Sequence, residues 1–348
     1  MKKQLLLLFC GFLIQVSLAQ VNNSVLSSGD WFKFSIDTTG VFKIDKNLLQ
    51  QIGVSTNGLN PKKLHIYGNG GQLLPDANSD FRYDDLQENA IYVAGEEDGT
   101  FDNKDYILFY ATGPHDWEVN TTSNFIKHRQ NIYTDKGYYF ITVNDTDGKR
   151  ITQKNPNTNS PAAPITIFDD YIFHEKEEKN IIAVGTQWFF EEDFNIQNTQ
   201  SFKIPFPNAV ANENLNIRVR GVSNSVVSSS MAVKVNGQDL LTLDYAGINI
   251  SSLTKAYAVE RNANILNSAE NIEIQITFNN NGNPSASAFL DYIEIVGKKQ
   301  LTFSDFQFSF RSFAQANATG TVEYQISNGS AAFQVWDVTN PITPQIIT

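Results

Sequence analysis

The chain of 348 residues contains a single cysteine, Cys10, and it lies in an N-terminal segment that has the character of a removable leader. Lys2 and Lys3 precede an apolar stretch from Leu5 to Ile14, and the small residues Ser17 and Ala19 follow. This pattern predicts a secretory signal peptide over residues 1–19, with cleavage after Ala19. The mature chain is then expected to hold no thiol at all. That excludes disulfides, cysteine-based metal sites and a thiolate nucleophile from within this chain. Long apolar runs are also lacking beyond the leader, so no transmembrane span is expected. Positive charge is in short supply too. Without Lys2 and Lys3, 24 basic residues face 37 acidic ones, a net charge of −13. Such a balance argues against nucleic acid and anionic membrane surfaces as partners. Only four histidines occur (His65, His115, His128 and His174), and none has metal-ligand spacing.

What is present in abundance is aromatic and β-branched residues, with Asn and Asp crowding the gaps between them. The expected fold is therefore mainly β. Residues 20–153 read as a β-rich N-terminal domain. Trp31, Phe32 and Phe34, then Asp37–Gly40, then Val41, Phe42 and Ile44 predict a hairpin. Asp45 is a candidate N-cap for a short helix carrying Leu48, Leu49 and Ile52 and ending at Gly53. Strands are expected at Leu64–Tyr67, Ile91–Ala94, Tyr106–Tyr110 and Tyr138–Val143. Residues 154–164, with three prolines among Asn, Thr and Ser, form a predicted linker.

Over residues 165–299 the texture changes to short alternating strands. Leu215, Ile217 and Val219 alternate with Asn216, Arg218 and Arg220. Met231, Val233 and Val235 lead into Asn236–Gly237, the strongest hairpin signal in the chain. Ile272, Ile274, Ile276 and Phe278 repeat the alternation, and Ala288–Val296 completes the set. An antiparallel, jelly-roll-like β-sandwich is expected. Residues 300–348 read as the start of an incomplete third piece. Its candidate strands are Phe306–Phe310, Val322–Ile326 and Phe333–Val338, too few to bury a core alone.

Two groups of residues are candidates for ligands. Asp98, Asp102, Asn103 and Asp105 lie in an acidic, glycine-containing stretch and could supply several of the six to eight oxygens that Ca²⁺ takes. The stretch lacks EF-hand spacing and includes Lys104, so a solvated acidic turn is the alternative. Ca²⁺ is the one cofactor that the sequence suggests. Trp188, at the opening of the sandwich, and Tyr245 and Tyr257, near its loops, are candidates for stacking on sugar rings; core packing is the competing use of such side chains. His115 beside Asp116 follows Gly113–Pro114, and a solvated loop is the expected role of that pair.

Several motifs in series resemble one family. Trp31–Phe32–Lys33 with Asp37–Thr38–Thr39–Gly40–Val41–Phe42–Lys43–Ile44 is similar to the opening of the PorU family, the sortases of the Bacteroidetes type IX secretion system. The resemblance continues through Ile66–Tyr67–Gly68–Asn69–Gly70–Gly71, Leu74–Pro75 and Asp84–Asp85–Leu86–Gln87–Glu88–Asn89–Ala90. It extends over Gly95–Glu96–Glu97–Asp98–Gly99, Asp105–Tyr106–Ile107–Leu108–Phe109–Tyr110, Asn131–Ile132–Tyr133 and Tyr138–Tyr139–Phe140–Ile141–Thr142. Val335–Trp336–Asp337–Val338–Thr339–Asn340–Pro341 resembles the segment leading into that family's peptidase domain.

The resemblance implies a gingipain-like cysteine endopeptidase and transpeptidase at the cell surface or outer membrane. Such an enzyme removes the C-terminal sorting domain of secreted cargo and attaches the cargo to lipopolysaccharide. The family's catalytic His and Cys belong to a domain downstream of Pro341, and no position here matches them. The chain is therefore expected to be the non-catalytic N-terminal portion, inactive alone. Its expected partners are the downstream peptidase domain, or other secretion components, and lipopolysaccharide. The alternative is a stand-alone surface sandwich that binds glycan or lipopolysaccharide. A carboxylate-based hydrolase is a third reading, motivated only by the acidic loop.

Overall fold

The computed structural model describes residues 24–120, 125–155, 163–183, 185–304, 307–316, 320–332 and 334–347. The predicted signal peptide, and most of the predicted linker, lie outside the described residues. In chain order the elements are β1 (Phe32–Ile36), β2 (Gly40–Asp45), α1 (Lys46–Gln51), β3 (Leu64–Tyr67), β4 (Glu88–Asn89), β5 (Ile91–Ala94) and β6 (Tyr106–Ala111). Next come β7 (His115–Asn120), β8 (Phe125–Gln130), β9 (Gly137–Val143), β10 (Thr152–Lys154) and β11 (Ile167–Glu175). β12 (Thr199–Pro205), β13 (Asn214–Asn224), β14 (Ser229–Val235), β15 (Gln238–Tyr245), β16 (Tyr257–Leu266), β17 (Asn271–Asn279) and β18 (Ser287–Gln300) follow. β19 (Val335–Asp337) and β20 (Gln345–Ile347) end the set. The fold is mainly β, as the alternating sequence predicts.

The chain divides into two compact units. The first comprises residues up to Pro114, Asp135–Lys154 and Trp336–Ile346, and the second His115–Thr134, Asn155–Val335 and Ile347–Thr348. In the first unit one sheet has the order β1-β9-β3-β4 and another β2-β6-β5. Their inward residues share one core, in which Ile36, Ile66, Tyr139 and Ile141 meet Ile44, Ile107 and Phe109. The Phe109 ring lies edge-on to Phe34 at 5.7 Å and to Tyr139 at 5.4 Å.

The hairpin expected over residues 31–44 does not form. β1 pairs with β9, Phe34 opposite Tyr139, whereas β2 pairs with β6, Phe42 opposite Phe109. The bend at Asp37–Thr39 sends the chain from one sheet into the other. Pairing with distant strands lets both apolar strands enter a shared core, which a lone two-stranded ribbon lacks. Helix α1 forms where expected. The Asp45 carboxylate accepts from the Leu48 N–H at 2.9 Å, satisfying an otherwise unpaired donor of the first turn. Gly53 ends the helix at φ +101°, a conformation that glycine adopts without a Cβ penalty.

The second unit holds a sandwich of two four-stranded antiparallel sheets, β11-β18-β13-β16 and β12-β17-β14-β15. The alternation read in the sequence fills the space between them. Ile217, Val219, Met231, Val233, Ile272, Ile274, Ile276, Ile293 and Ile295 lie in one buried cluster. The Asn236–Gly237 turn joins β14 to β15, with both residues at positive φ as a tight hairpin turn requires.

The described residues between 300 and 335 fall within the second unit. The Ile165 N–H donates to the Glu323 carbonyl, the Asp169 N–H to the Arg311 carbonyl, and Phe308 packs on Phe168. Of the strands expected there, Phe306–Phe310 is irregular over its described residues 307–310, Phe306 lying outside them, and Val322–Ile326 supplies only the single bridge of Tyr324 to Ile165. The third appears as β19, which joins β10 and β20 in a small sheet. Among the described residues, no helix is long and apolar enough to cross a membrane.

Candidate functional site

In an open sandwich the outer face of a sheet is normally polar and wet. The outer face of β11-β18-β13-β16 is polar but largely dry, because the β7–β8 hairpin of the same unit lies over it. β18 is accordingly buried on consecutive residues from Ala288 to Ile295. Alternation turns Ile293 and Ile295 into the core and leaves Tyr292 and Glu294 facing outward. Register then places charges side by side. Arg218 stands opposite Glu294 and Arg220 opposite Tyr292, while Glu260 of β16 is opposite Arg220. Between Arg220 and Gly221 the register slips, and the slip leaves Asp291 as the extra residue on β18.

His128 of β8 reaches the middle of this face. Its Nε2 donates to Glu175 Oε2 at 2.5 Å and its Nδ1 to Glu294 Oε1, while its backbone N–H donates to the same Glu294 oxygen at 2.8 Å. The other Glu294 oxygen accepts from Arg218 Nη1 at 2.5 Å, and that nitrogen also donates to the Ile126 carbonyl at 2.7 Å. Glu260 accepts from the Tyr292 hydroxyl and from Lys127 Nζ at 3.3 Å. Arg220 pairs with Asp291. Glu294 is 1% exposed, Asp291 3%, His128 6% and Arg218 7%. Aromatic rings seal the edge: Phe173 stacks on the His128 imidazole at 4.4 Å, and Trp117 lies over Tyr171 at 3.7 Å.

Burial favours neutral imidazole, but the hydrogen bonds and charges of Glu175 and Glu294 outweigh it and raise the His128 pKa. The imidazolium form donates from both nitrogens, which is what two flanking carboxylates require. Glu177 lies two residues past Glu175. Burial, then the neighbouring Glu175 carboxylate, pushes its pKa up to about 7. Its Oε2 is buried without a hydrogen-bond partner, as is Oε1 of Gln130. Both residues line a cleft of about 230 Å³, with Trp188, Arg220 and Asp291 among its other walls.

Three of the four expected Ca²⁺ ligands brace their own turn. Asp98 accepts from the Thr100 N–H at 2.9 Å, Asp102 from the Lys104 N–H at 2.7 Å, and buried Asp105 from the Asp102 N–H at 2.6 Å. Asn103 is exposed on that turn. Among the described residues, no group of three or more His, Cys, Asp or Glu side chains is placed to hold a metal ion.

Of the expected stacking residues, Trp188 is 40% exposed at the cleft, and Tyr257 is exposed at the start of β16. Tyr245 does not present a sugar-stacking face. It shares the inward side of β15 with Leu243, is 2% exposed, and its hydroxyl contacts the Met231 sulfur at 3.3 Å. His115 opens β7 and is half-buried, and Asp116 pairs with Arg129 at 2.6 Å, so neither sits in an open loop.

Sequence reasoning passed over His128, Glu175, Glu177, Arg218 and Glu294. A signal was present: Asp291 and Glu294 interrupt the otherwise apolar run Ala288–Val296 of β18, and buried charges need partners. Which partners they take depends on residues up to 166 positions away.

The fold superposes on the crystal structure of dimeric latent PorU from Porphyromonas gingivalis with a TM-score of 0.77 and 21% identity. That match covers 94% of this chain and 30% of the other, so this chain spans less than a third of that structure's length. At this identity the match shows a shared fold. A carbohydrate-binding module of family 36 in complex with calcium and xylotriose matches 36% of this chain and 98% of its own, with 16% identity and a TM-score of 0.24. A family 35 module from Clostridium thermocellum matches 38% of this chain and 98% of its own, with 15% identity and a TM-score of 0.24. Those two likenesses are too slight to bear on function. No protein-family model matches the sequence, and no curated protein matches it either.

Proposed function

We propose that this chain is the non-catalytic N-terminal portion of a PorU-type type IX secretion sortase, acting at the outer membrane surface beside a peptidase domain. The observation that carries the reading is a fold match running through 94% of the chain, beside sequence motifs that resemble the family in the same order. In this role the two β units dock or cover the peptidase domain, and the thiolate comes from that domain. The intact protein would cleave the sorting domain from cargo and join cargo to lipopolysaccharide. Two measurements test the reading. The purified chain should leave Arg- and Lys-containing peptides intact, with or without thiol reductant, and should co-elute with a PorU-type peptidase domain supplied separately. Hydrolysis that a cysteine alkylator abolishes, or separate elution of the two parts, refutes it.

A second reading, a glycan- or lipopolysaccharide-binding surface module, is favoured by Trp188, exposed at a cleft with two unpartnered acceptors. Titration of tryptophan fluorescence with cell-surface polysaccharide tests it. An unchanged spectrum, or an equal response in Trp188→Ala, removes its support. The Asp98, Asp102, Asn103 and Asp105 turn remains the place where Ca²⁺ would bind if the chain takes it.

A further inference from the structure

Lys127, His128, Arg129 and Arg220 line the cleft beside Glu175, Glu177 and Asp291, and a surplus of one negative charge appears once the carboxylates that pair with those cations from behind the wall are counted. Around it Arg129 pairs with Asp116, Lys127 with Glu260, and Arg220 with Asp291. His128 and Arg218 are shared among Glu175, Glu294 and Glu260. With His128 as imidazolium, five cations face the six carboxylates of Asp116, Glu175, Glu177, Glu260, Asp291 and Glu294. Glu177 is the carboxylate that makes none of these contact ion pairs, Arg220 and His128 acting on it only from a greater distance. Its buried Oε2 has no hydrogen-bond donor, and the Gln130 Oε1 in the same cleft has none. The third feature of the wall is Trp188, partly exposed.

These features define the chemistry of an occupant. Two orphaned acceptors call for a group with several donors. The unbalanced carboxylate calls for positive charge and disfavours an anion. The indole face favours a cation, and a planar one can stack on it. A volume of about 230 Å³ accommodates the head of one side chain rather than an extended ligand. A neutral sugar would supply donors without neutralising Glu177. A guanidinium supplies five N–H donors, a permanent charge and two flat faces. We propose that the Glu177–Gln130–Trp188 cleft binds the guanidinium of an arginine side chain presented by a partner polypeptide. The proposal depends on neither functional reading above.

The test uses the full chain and the peptide acetyl-Gly-Arg-Gly-amide, with its citrulline counterpart as a neutral isostere, followed by calorimetry at pH 8. The Arg peptide should bind at least tenfold more tightly than the citrulline peptide. Glu177→Gln and Trp188→Ala should each weaken it tenfold or more while still melting in one cooperative transition, that of Glu177→Gln at or above the parent's temperature. Lowering the pH to 5.5 should weaken binding as Glu177 takes up a proton. Overturning results are equal binding of the two peptides, no binding of either by the folded chain, or full affinity in both variants. A neutral methyl glycoside that binds at Trp188 where the Arg peptide does not would also overturn it, while supporting the glycan reading.

Discussion

Replacing Glu177 by Gln should stabilise the second unit at alkaline pH and leave it unchanged in acid. Burial and Glu175 hold the Glu177 pKa at about 7, against an ordinary glutamate value near 4.5. The folded chain thus keeps this proton to a higher pH than the unfolded chain. Between about pH 4.5 and 7 the native state binds more protons, so stability falls as pH rises through that window. Above it the whole penalty is present. The displacement from 4.5 to about 7 would correspond to roughly 3 kcal/mol if it were felt in full. Glu177 is partly exposed, and solvent screening reduces this to about 1–2 kcal/mol. Gln keeps the shape and removes the ionisation. The variant should therefore gain about 1–2 kcal/mol over the parent at pH 8 and almost nothing at pH 4.5. Urea denaturation of parent and variant from pH 4.5 to 8.5 measures this directly. A difference that does not change with pH, or a parent more stable at pH 8, refutes the account of this carboxylate.

Other changes probe the scaffold. Glu294→Gln removes the charge that His128 and Arg218 share, and should destabilise by about 3–5 kcal/mol in the same denaturation assay; a loss under 1 kcal/mol would mean that the buried network is not coupled as its geometry implies. Gly95→Ala should cost about 2 kcal/mol or more, since Gly95 has φ +87° and a Cβ there would meet the Asp105 carboxylate; a neutral melting temperature would count against that turn. Asp105→Asn should cost about 1–3 kcal/mol by weakening the bond to the Asp102 N–H, to the same extent in Ca²⁺ as in chelator if that bond alone is the reason. Ile274→Ala, at the centre of the sandwich core, should lose about 2–5 kcal/mol by calorimetry, with a smaller loss showing that the two sheets close over the cavity.

The sequence by itself determined what depends on near neighbours. The Asp45 cap and the glycine stop of α1 act within one turn of helix. The alternation of Ile272, Ile274 and Ile276 places those side chains on one face whatever strand lies beside them. Asn236–Gly237 makes its turn because both residues tolerate positive φ. Tertiary structure alone decided pairing across distance. β1 and β2 are four residues apart and lie in different sheets, because each found a partner that completes a shared core. Tyr245 looked like any loop-side aromatic until strand register turned it inward. The buried network is the clearest case. His128, Glu175, Arg218 and Glu294 are spread over 166 residues, each unremarkable in its own strand. Register across β11, β18 and β13 aligns them, and the β7–β8 hairpin removes the water. Low local dielectric then makes their charges depend on one another, and a carboxylate such as Glu177 becomes distinctive through what surrounds it rather than through any pattern in the chain.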